Sequence, residues 1–127
     1  MLKLTYTETG FYLERLAQPL EEWVTTRILV ALRAGTRFTV EPSTAAFLLP
    51  ADLPHLAQLQ VEARREDEAI AFSVCDADYI EVCLKGTWLT CNPQGEEGIF
   101  VVAMSDRTEF FLSKLWQDSL SYASAIE

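Results

Sequence analysis

The sequence has few of the residues from which metal sites and disulfides are built. It contains a single histidine, His55, and three cysteines, Cys75, Cys83 and Cys91, which lie eight residues apart and form no Cys-x-x-Cys pair. Zinc sites are usually built from close pairs of ligands, so this spacing argues against one. We predict reduced structural thiols and no bound metal ion.

Motifs for phosphate binding and nucleophilic catalysis are also lacking. The five glycines form no Gly-rich phosphate loop and no Gly-x-Ser-x-Gly elbow, and the chain has no internal repeat. We therefore expect no cofactor, and we favour a non-enzymatic binding or accessory module over an enzyme.

Long hydrophobic runs are missing as well. No apolar run approaches the roughly 20 residues that cross a bilayer, and residues 1–6 lack the apolar core of a secretion signal. These features predict a cytoplasmic protein without membrane insertion.

Basic residues are in deficit, with 10 Lys and Arg against 19 Asp and Glu, for a net charge of −9. Residues 1–50 carry five basic and five acidic side chains, so the excess of acid follows residue 50. Such a surface repels phosphate backbones, which excludes nucleic acid as the expected partner. The negative charge is explained either by solubility alone or by binding to a basic protein partner.

A central segment, residues 69–109, predicts most of the sheet. Large apolar residues at every second position, in 70–74 and again in 80–84, predict two antiparallel strands joined by a turn at Asp76–Asp78. Gly86 suggests a bulge or bend before a continuation to Thr90. Residues 99–104 are apolar without alternation, which is typical of a central strand covered on both faces.

Two further segments of the sequence predict helices. Residues 20–34 repeat apolar side chains at three- and four-residue steps, which predicts a helix whose apolar face contains Leu20, Trp23, Val24, Ile28, Ala31 and Leu32. Acidic residues come first, Arg33 comes last, and Gly35 is the closing residue. We expect Arg27 to pair with a glutamate, and Glu41 is the candidate. Asp106 and Glu109 have the spacing of a capping box for a final helix from Thr108 to about Tyr122.

The remaining segments predict a hairpin, a short strand and one more helix. In residues 2–16, apolar side chains occur at alternate positions on both sides of a turn at residues 8–10, which predicts the hairpin. Residues 36–41 predict a strand that is broken at Pro42, and the apolar residues 45–49 cannot be classified by period alone. Asp52 is the expected N-cap of a helix with an exposed His55 in its first turn.

Together these elements predict an α+β protein. We expect residues 1–127 to form a single domain with a mainly antiparallel sheet, comprising an N-terminal hairpin, a middle strand and a C-terminal three-strand meander, packed against about three helices.

The candidate functional residues are surface residues. We predict an interaction surface that includes Tyr79, Glu81, Lys85 and Phe110, and contacts either with another protein or with a second copy of the chain in a homodimer. One alternative is a small-ligand pocket between the sheet and helix 20–34. Another is a small hydrolase, for which the candidate residues are Asp76, Asp78, Glu81 and Cys83; no base for the thiol is apparent.

Three segments, residues 20–35, 40–54 and 104–117, resemble a family of short conserved cyanobacterial proteins with no assigned activity. The resemblance covers nearly the whole chain. It implies a cyanobacterial cytoplasmic origin and an accessory role in a photosynthetic or regulatory assembly. It implies no catalytic residue.

Overall fold

The described part of the chain forms six strands and three helices. The computed structural model describes residues 1–66, 69–91, 94–95 and 97–126, with side chains in these ranges except at 66 and 119–126. The strands are β1 Leu2–Thr7, β2 Gly10–Arg15, β3 Thr39–Pro50, β4 Ile70–Val74, β5 Tyr79–Thr90 and β6 Gly98–Val102. The helices are α1 Leu20–Arg33, α2 Leu56–Glu66 and α3 Asp106–Ile126.

The six strands form one sheet in the order β2-β1-β6-β5-β3, and β4 also pairs with β5. The β1–β2, β1–β6, β4–β5 and β5–β6 pairs are all antiparallel. The predicted fold class is therefore confirmed, because this is a single α+β domain with a mainly antiparallel sheet and three helices. Its predicted extent, residues 1–127, stays a prediction, since residue 127 lies outside the described part.

The apolar strand β6 occupies the central position that its sequence predicts. It lies between β1 and β5, and the consecutive residues Phe100, Val101 and Val102 are all buried. Because neighbouring residues of a strand point to opposite faces, this burial requires cover on both faces.

Contacts concentrate in two compact units, which are considered separately. Unit 1 comprises Met1–Thr44 and Lys85–Ala103, and unit 2 comprises Ala45–Leu84 and Met104–Glu127. The core of unit 1 contains the buried residues Met1, Trp23, Leu89 and Val101, against which Leu16, Leu20, Val24, Phe38 and Ile99 pack.

The N-terminal hairpin and the first helix follow the predicted pattern. Residues 2–7 pair with residues 10–15 in register. Helix α1 ends at Arg33, and Gly35 adopts the left-handed conformation, with a φ of 68°.

Strand β5 continues from Tyr79 to Thr90 through Gly86, and the bulge or bend predicted at this glycine stays a prediction. Trp88 and Phe100 are cross-strand partners in β5 and β6. The ring of Phe100 lies over Gly86, and the ring of Trp88 lies over Gly98. Each glycine thus provides space for the aromatic side chain of the neighbouring strand.

Strand β3 corrects the predicted break at Pro42, since it is continuous over twelve residues. Proline lacks a backbone N–H and is tolerated in strands at the edge of a sheet, which is where β3 lies in the strand order. Residues 45–49, which the sequence pattern did not classify, are part of this strand. Buried and exposed side chains alternate there, with Ala45, Phe47 and Leu49 buried.

Both predicted acidic helix caps in unit 2 are wrong. Helix α2 begins at Leu56, after a turn in which the exposed His55 has a positive φ of 69°, so Asp52 lies too early to cap it. Helix α3 begins at Asp106, and its cap is Ser105, whose Oγ accepts a hydrogen bond from the Thr108 N–H at 3.3 Å. Glu109 is buried in the first turn of α3.

Candidate interaction surfaces

The predicted interaction residues are all at least partly accessible. Tyr79, Lys85 and Phe110 are exposed, and Glu81 is half-buried. Lys85 belongs to unit 1, whereas the other three belong to unit 2. A common surface for these four residues stays a prediction.

The carboxylates at the β4–β5 turn have structural contacts. Asp76 Oδ1 accepts hydrogen bonds from the backbone N–H groups of Asp78, at 2.7 Å, and Tyr79, at 2.9 Å. This arrangement stabilises the turn in the way that short carboxylate side chains commonly do. It therefore accounts for Asp76 without a catalytic role.

The Cys83 thiol has a carboxylate as its hydrogen-bond partner. Its Sγ donates a hydrogen bond to Glu81 Oε1 at 3.1 Å. This hydrogen bond raises the pKa of Cys83, and burial and the negative charge of Glu81 raise it further. A catalytic cysteine requires the opposite, because the thiolate is the nucleophile.

The Glu81→Gln variant should therefore make Cys83 more reactive. Loss of the carboxylate charge lowers the pKa of Cys83 towards its ordinary value, so more thiolate is present at about pH 8. We expect faster alkylation of Cys83 by iodoacetamide, measured by peptide mass spectrometry. The exposed Cys75 and Cys91 are internal controls whose rates should not change. An unchanged rate at Cys83 would contradict the assigned role of Glu81.

The space between α1 and the strands of unit 1, where a ligand pocket was an alternative, contains packed side chains. Trp23 contacts the core there. An open cavity of about 340 Å³ borders this core, because Phe38, Leu89 and Ile99 contribute to its lining. Its lining consists of strand-end residues and Phe38: Thr5, Tyr6, Thr7, Leu89, Thr90, Cys91, Glu97, Gly98 and Ile99. Burial raises the pKa of the Tyr6 hydroxyl at this site.

Unit 2 has a cavity of about 460 Å³ between α2 and α3. Arg107 Nη1 lies 3.3 Å from Glu62 Oε2 at its rim, and Val61 and Phe111 provide apolar lining. Arg107 is exposed to solvent, so this ion pair contributes little to stability.

Helix α1 exposes apolar side chains along its second half. Leu29 is 50% exposed, Val30 is 54% exposed and Leu32 is 69% exposed. The exposure of Leu32 contradicts the predicted apolar face, which included it. Residues 28–32 are all apolar, so they surround the helix, and the periodicity cannot assign them to one buried side.

The exposed side of α1 has charges of opposite sign at its two ends. Glu22, Thr26, Leu29 and Arg33 follow one another at steps of three or four residues and are all exposed, so they lie on one side of the helix. Glu22 is in the first turn and Arg33 in the last. We call this side, together with Leu32, the outer face of α1.

Arg27 does not form the predicted ion pair with Glu41. Its guanidinium carbon lies 4.9 Å from the ring centroid of Trp23, and Lys3 Nζ lies 5.8 Å from the same centroid. Both cations are therefore placed to interact with the π face of the indole.

Metal clusters and membrane-spanning helices are both absent from the described part of the chain. It holds no group of three or more His, Cys, Asp and Glu side chains that could bind a metal ion. Within the same residues, no helix has the length and hydropathy to span a membrane.

These features define a small α+β protein that has an exposed, partly apolar helix face. The chain belongs to the Alr0857-like family, whose model matches residues 1–120. This uncharacterised family has the name of a locus of the cyanobacterium Anabaena, which confirms the resemblance found in the sequence. No curated protein and no solved structure matches the chain.

Proposed function

We propose that the protein is a non-enzymatic accessory module that acts through protein–protein contacts at the outer face of α1. The observation that carries this proposal is the exposure of Leu29 and Leu32, at 50% and 69%, on one helix. Single exposed leucines are common in soluble proteins. Neighbouring ones, with charged residues at both ends, have the composition of a contact site with an apolar centre and a polar rim.

The expected energy is modest but sufficient for recognition. Full burial of a leucine side chain contributes about 1.5–3 kcal/mol, and these two are already partly buried. Completing their burial would contribute about 1 kcal/mol each. Such a surface suits a partner that associates and dissociates, as an accessory protein does in an assembly.

The environment of the candidate catalytic residues supports a non-enzymatic role. Asp76 accepts two backbone hydrogen bonds in a turn, and Cys83 has a raised pKa. General acid–base or nucleophilic catalysis needs groups that are free to exchange protons with a substrate.

A small-ligand-binding protein is the second candidate, and the cavity in unit 1 favours it. Tyr6 and Phe38 offer aromatic surface there, and Thr7 and Thr90 have hydroxyl groups beside it. A thermal-shift screen with metabolites and pigments separates the two candidates, because a bound ligand raises the melting temperature of the free protein.

The test of the main proposal combines Leu29→Ser with Leu32→Ser. We expect this variant to bind its partner, or a second copy, about tenfold more weakly, which corresponds to about 1.4 kcal/mol. Sedimentation measures self-association, and pull-down from a cell extract with quantitative mass spectrometry measures other partners.

Val74→Ser is the matched control, since Val74 is 82% exposed in unit 2. It should leave binding unchanged. Circular dichroism checks that both variants remain folded. A wild-type chain that stays strictly monomeric and recovers no partner from the extract would overturn the proposal.

A further inference from the structure

We propose that the occupant of the outer face of α1 is a second copy of the same chain, with the two α1 helices antiparallel about a twofold axis. This inference rests on the proposed function and names its partner. The order of charges along α1, the division of charge between the units and the size of the surface all favour this occupant.

The order of charges makes the outer face complementary to itself. Glu22 and Arg33 occupy opposite ends of a 14-residue helix, with Thr26 and Leu29 between them. An antiparallel twofold pair centred between residues 27 and 28 places Glu22 beside Arg33 of the partner subunit. The same operation places Thr26 beside Leu29 of the partner subunit. A parallel pair would instead bring like charges together.

Antiparallel packing is also favoured by the helix dipoles. The first turn of α1 contains Glu21 and Glu22, and the last contains Arg33. In the pair, the positive N-terminal end of one helix lies near the negative C-terminal end of the other. The dipoles and the side-chain pairs therefore select the same arrangement.

The division of charge shows which unit a second copy can approach. The sequence of unit 1 has six basic and seven acidic residues, whereas that of unit 2 has four basic and twelve acidic residues. Two copies that meet through unit 2 repel each other, and two that meet through unit 1 do not. A basic partner would be drawn to unit 2, so the outer face of α1 fits self-association better.

The size of the surface indicates a weak dimer. A 14-residue helix is about 21 Å long, and its exposed apolar side chains are few. Contacts of this size are typical of transient complexes. We expect a dissociation constant on the order of 10–100 μM, so dimers form at concentrations accessible to analytical ultracentrifugation.

The test uses two charge reversals, Glu22→Arg and Arg33→Glu. Each variant alone places like charges opposite each other at both ends of the pair. We expect each to dimerise about tenfold more weakly than the wild type. An equimolar mixture of the two should associate as a heterodimer with about wild-type affinity, because every facing pair in it is then of opposite charge.

The mixture distinguishes an interface effect from damage to the helix. Glu22→Arg opposes the helix dipole and lowers the stability of the helix, but mixing two damaged proteins would not restore association. Glu8→Arg is the control, since it makes the same charge change at an exposed position of the β1–β2 turn. It should leave the dimer unchanged.

Two results would overturn the inference. One is a wild-type chain that is monomeric up to about 1 mM, and the other is a dimer that neither charge reversal weakens. Neither result decides the proposed function, since the Leu29→Ser, Leu32→Ser variant tests contacts with any protein. Loss of a captured partner in that variant would leave the proposed function standing with a different occupant.

Discussion

Replacing Gly86 with alanine is expected to destabilise the protein by about 2–3 kcal/mol. A Cβ atom at this position would overlap the backbone oxygen of Val101 and would lie 2.7 Å from Cζ of Phe100. The oxygen belongs to the neighbouring strand and cannot move without shifting β6, which is central in the sheet. The ring of Phe100 is buried and cannot swing into solvent.

Urea unfolding followed by far-UV circular dichroism measures this effect. Gly35→Ala is the matched control, because nothing lies within 4 Å of the added Cβ and only the positive φ of 68° is unfavourable. That variant should lose about 1 kcal/mol. Equal losses in the two variants would show that β5 and β6 separate easily, contrary to the close approach described above.

Replacing Trp23 with alanine is expected to cost about 3–5 kcal/mol. Trp23 is 3% exposed and is the aromatic residue of α1 in the core of unit 1. Its removal leaves a cavity among Met1, Leu89 and Val101, and it also removes the ring that Lys3 and Arg27 approach. Because the loss includes both apolar contact and cation–π interaction, Trp23→Phe should recover only part of it.

The same unfolding measurement applies to Trp23→Ala, with Phe110→Ala as the control. Phe110 is 54% exposed on α3, so its truncation should change the free energy of unfolding by no more than about 0.5 kcal/mol. A small loss for Trp23→Ala would mean that α1 is held to the sheet by other contacts.

The elements that the sequence predicts correctly are those whose pattern is local. The β1–β2 and β4–β5 hairpins have alternating residues on both sides of a short turn. Strand β6 was placed at the centre because consecutive apolar residues have no polar face. In each case the information lies within about 15 residues of sequence, which is the range over which periodicity operates.

The wrong predictions concern residues whose effect depends on distant strands. Pro42 breaks a strand only if its missing N–H is needed, and its place in β3 at the edge of the sheet removes that need. The close packing at Gly86 was not predicted either, because the ring that occupies its space comes from Phe100 on β6. Neither fact can be inferred from neighbouring residues alone.

The predictions of where α2 and α3 begin are wrong for a different reason. Asp52, Ser105 and Asp106 are all acceptable N-caps by residue type. The choice among such residues depends on the backbone that enters the helix, such as the positive φ of His55 before α2. Sequence patterns rarely fix this to better than a few residues.

The exposure of apolar residues on α1 was not predicted, although the sequence contains a signal for it. Residues 28–32 are five consecutive apolar residues in a predicted helix, and a helix that is apolar all round is normally covered on more than one side. We had expected α1 to bury a single apolar face, and that expectation does not account for apolar residues on its other sides. The predicted interaction surface with Tyr79, Glu81, Lys85 and Phe110 stays a prediction.

Pro42 in β3 also affects how copies of the protein can assemble. A strand at the border of a sheet can act as a template on which further chains add and grow into fibres. The missing N–H interrupts the backbone ladder that such growth requires. The proposed twofold contact between helices would use each outer face once, so assembly through it would end at two chains. The proline opposes unlimited polymerisation along this border.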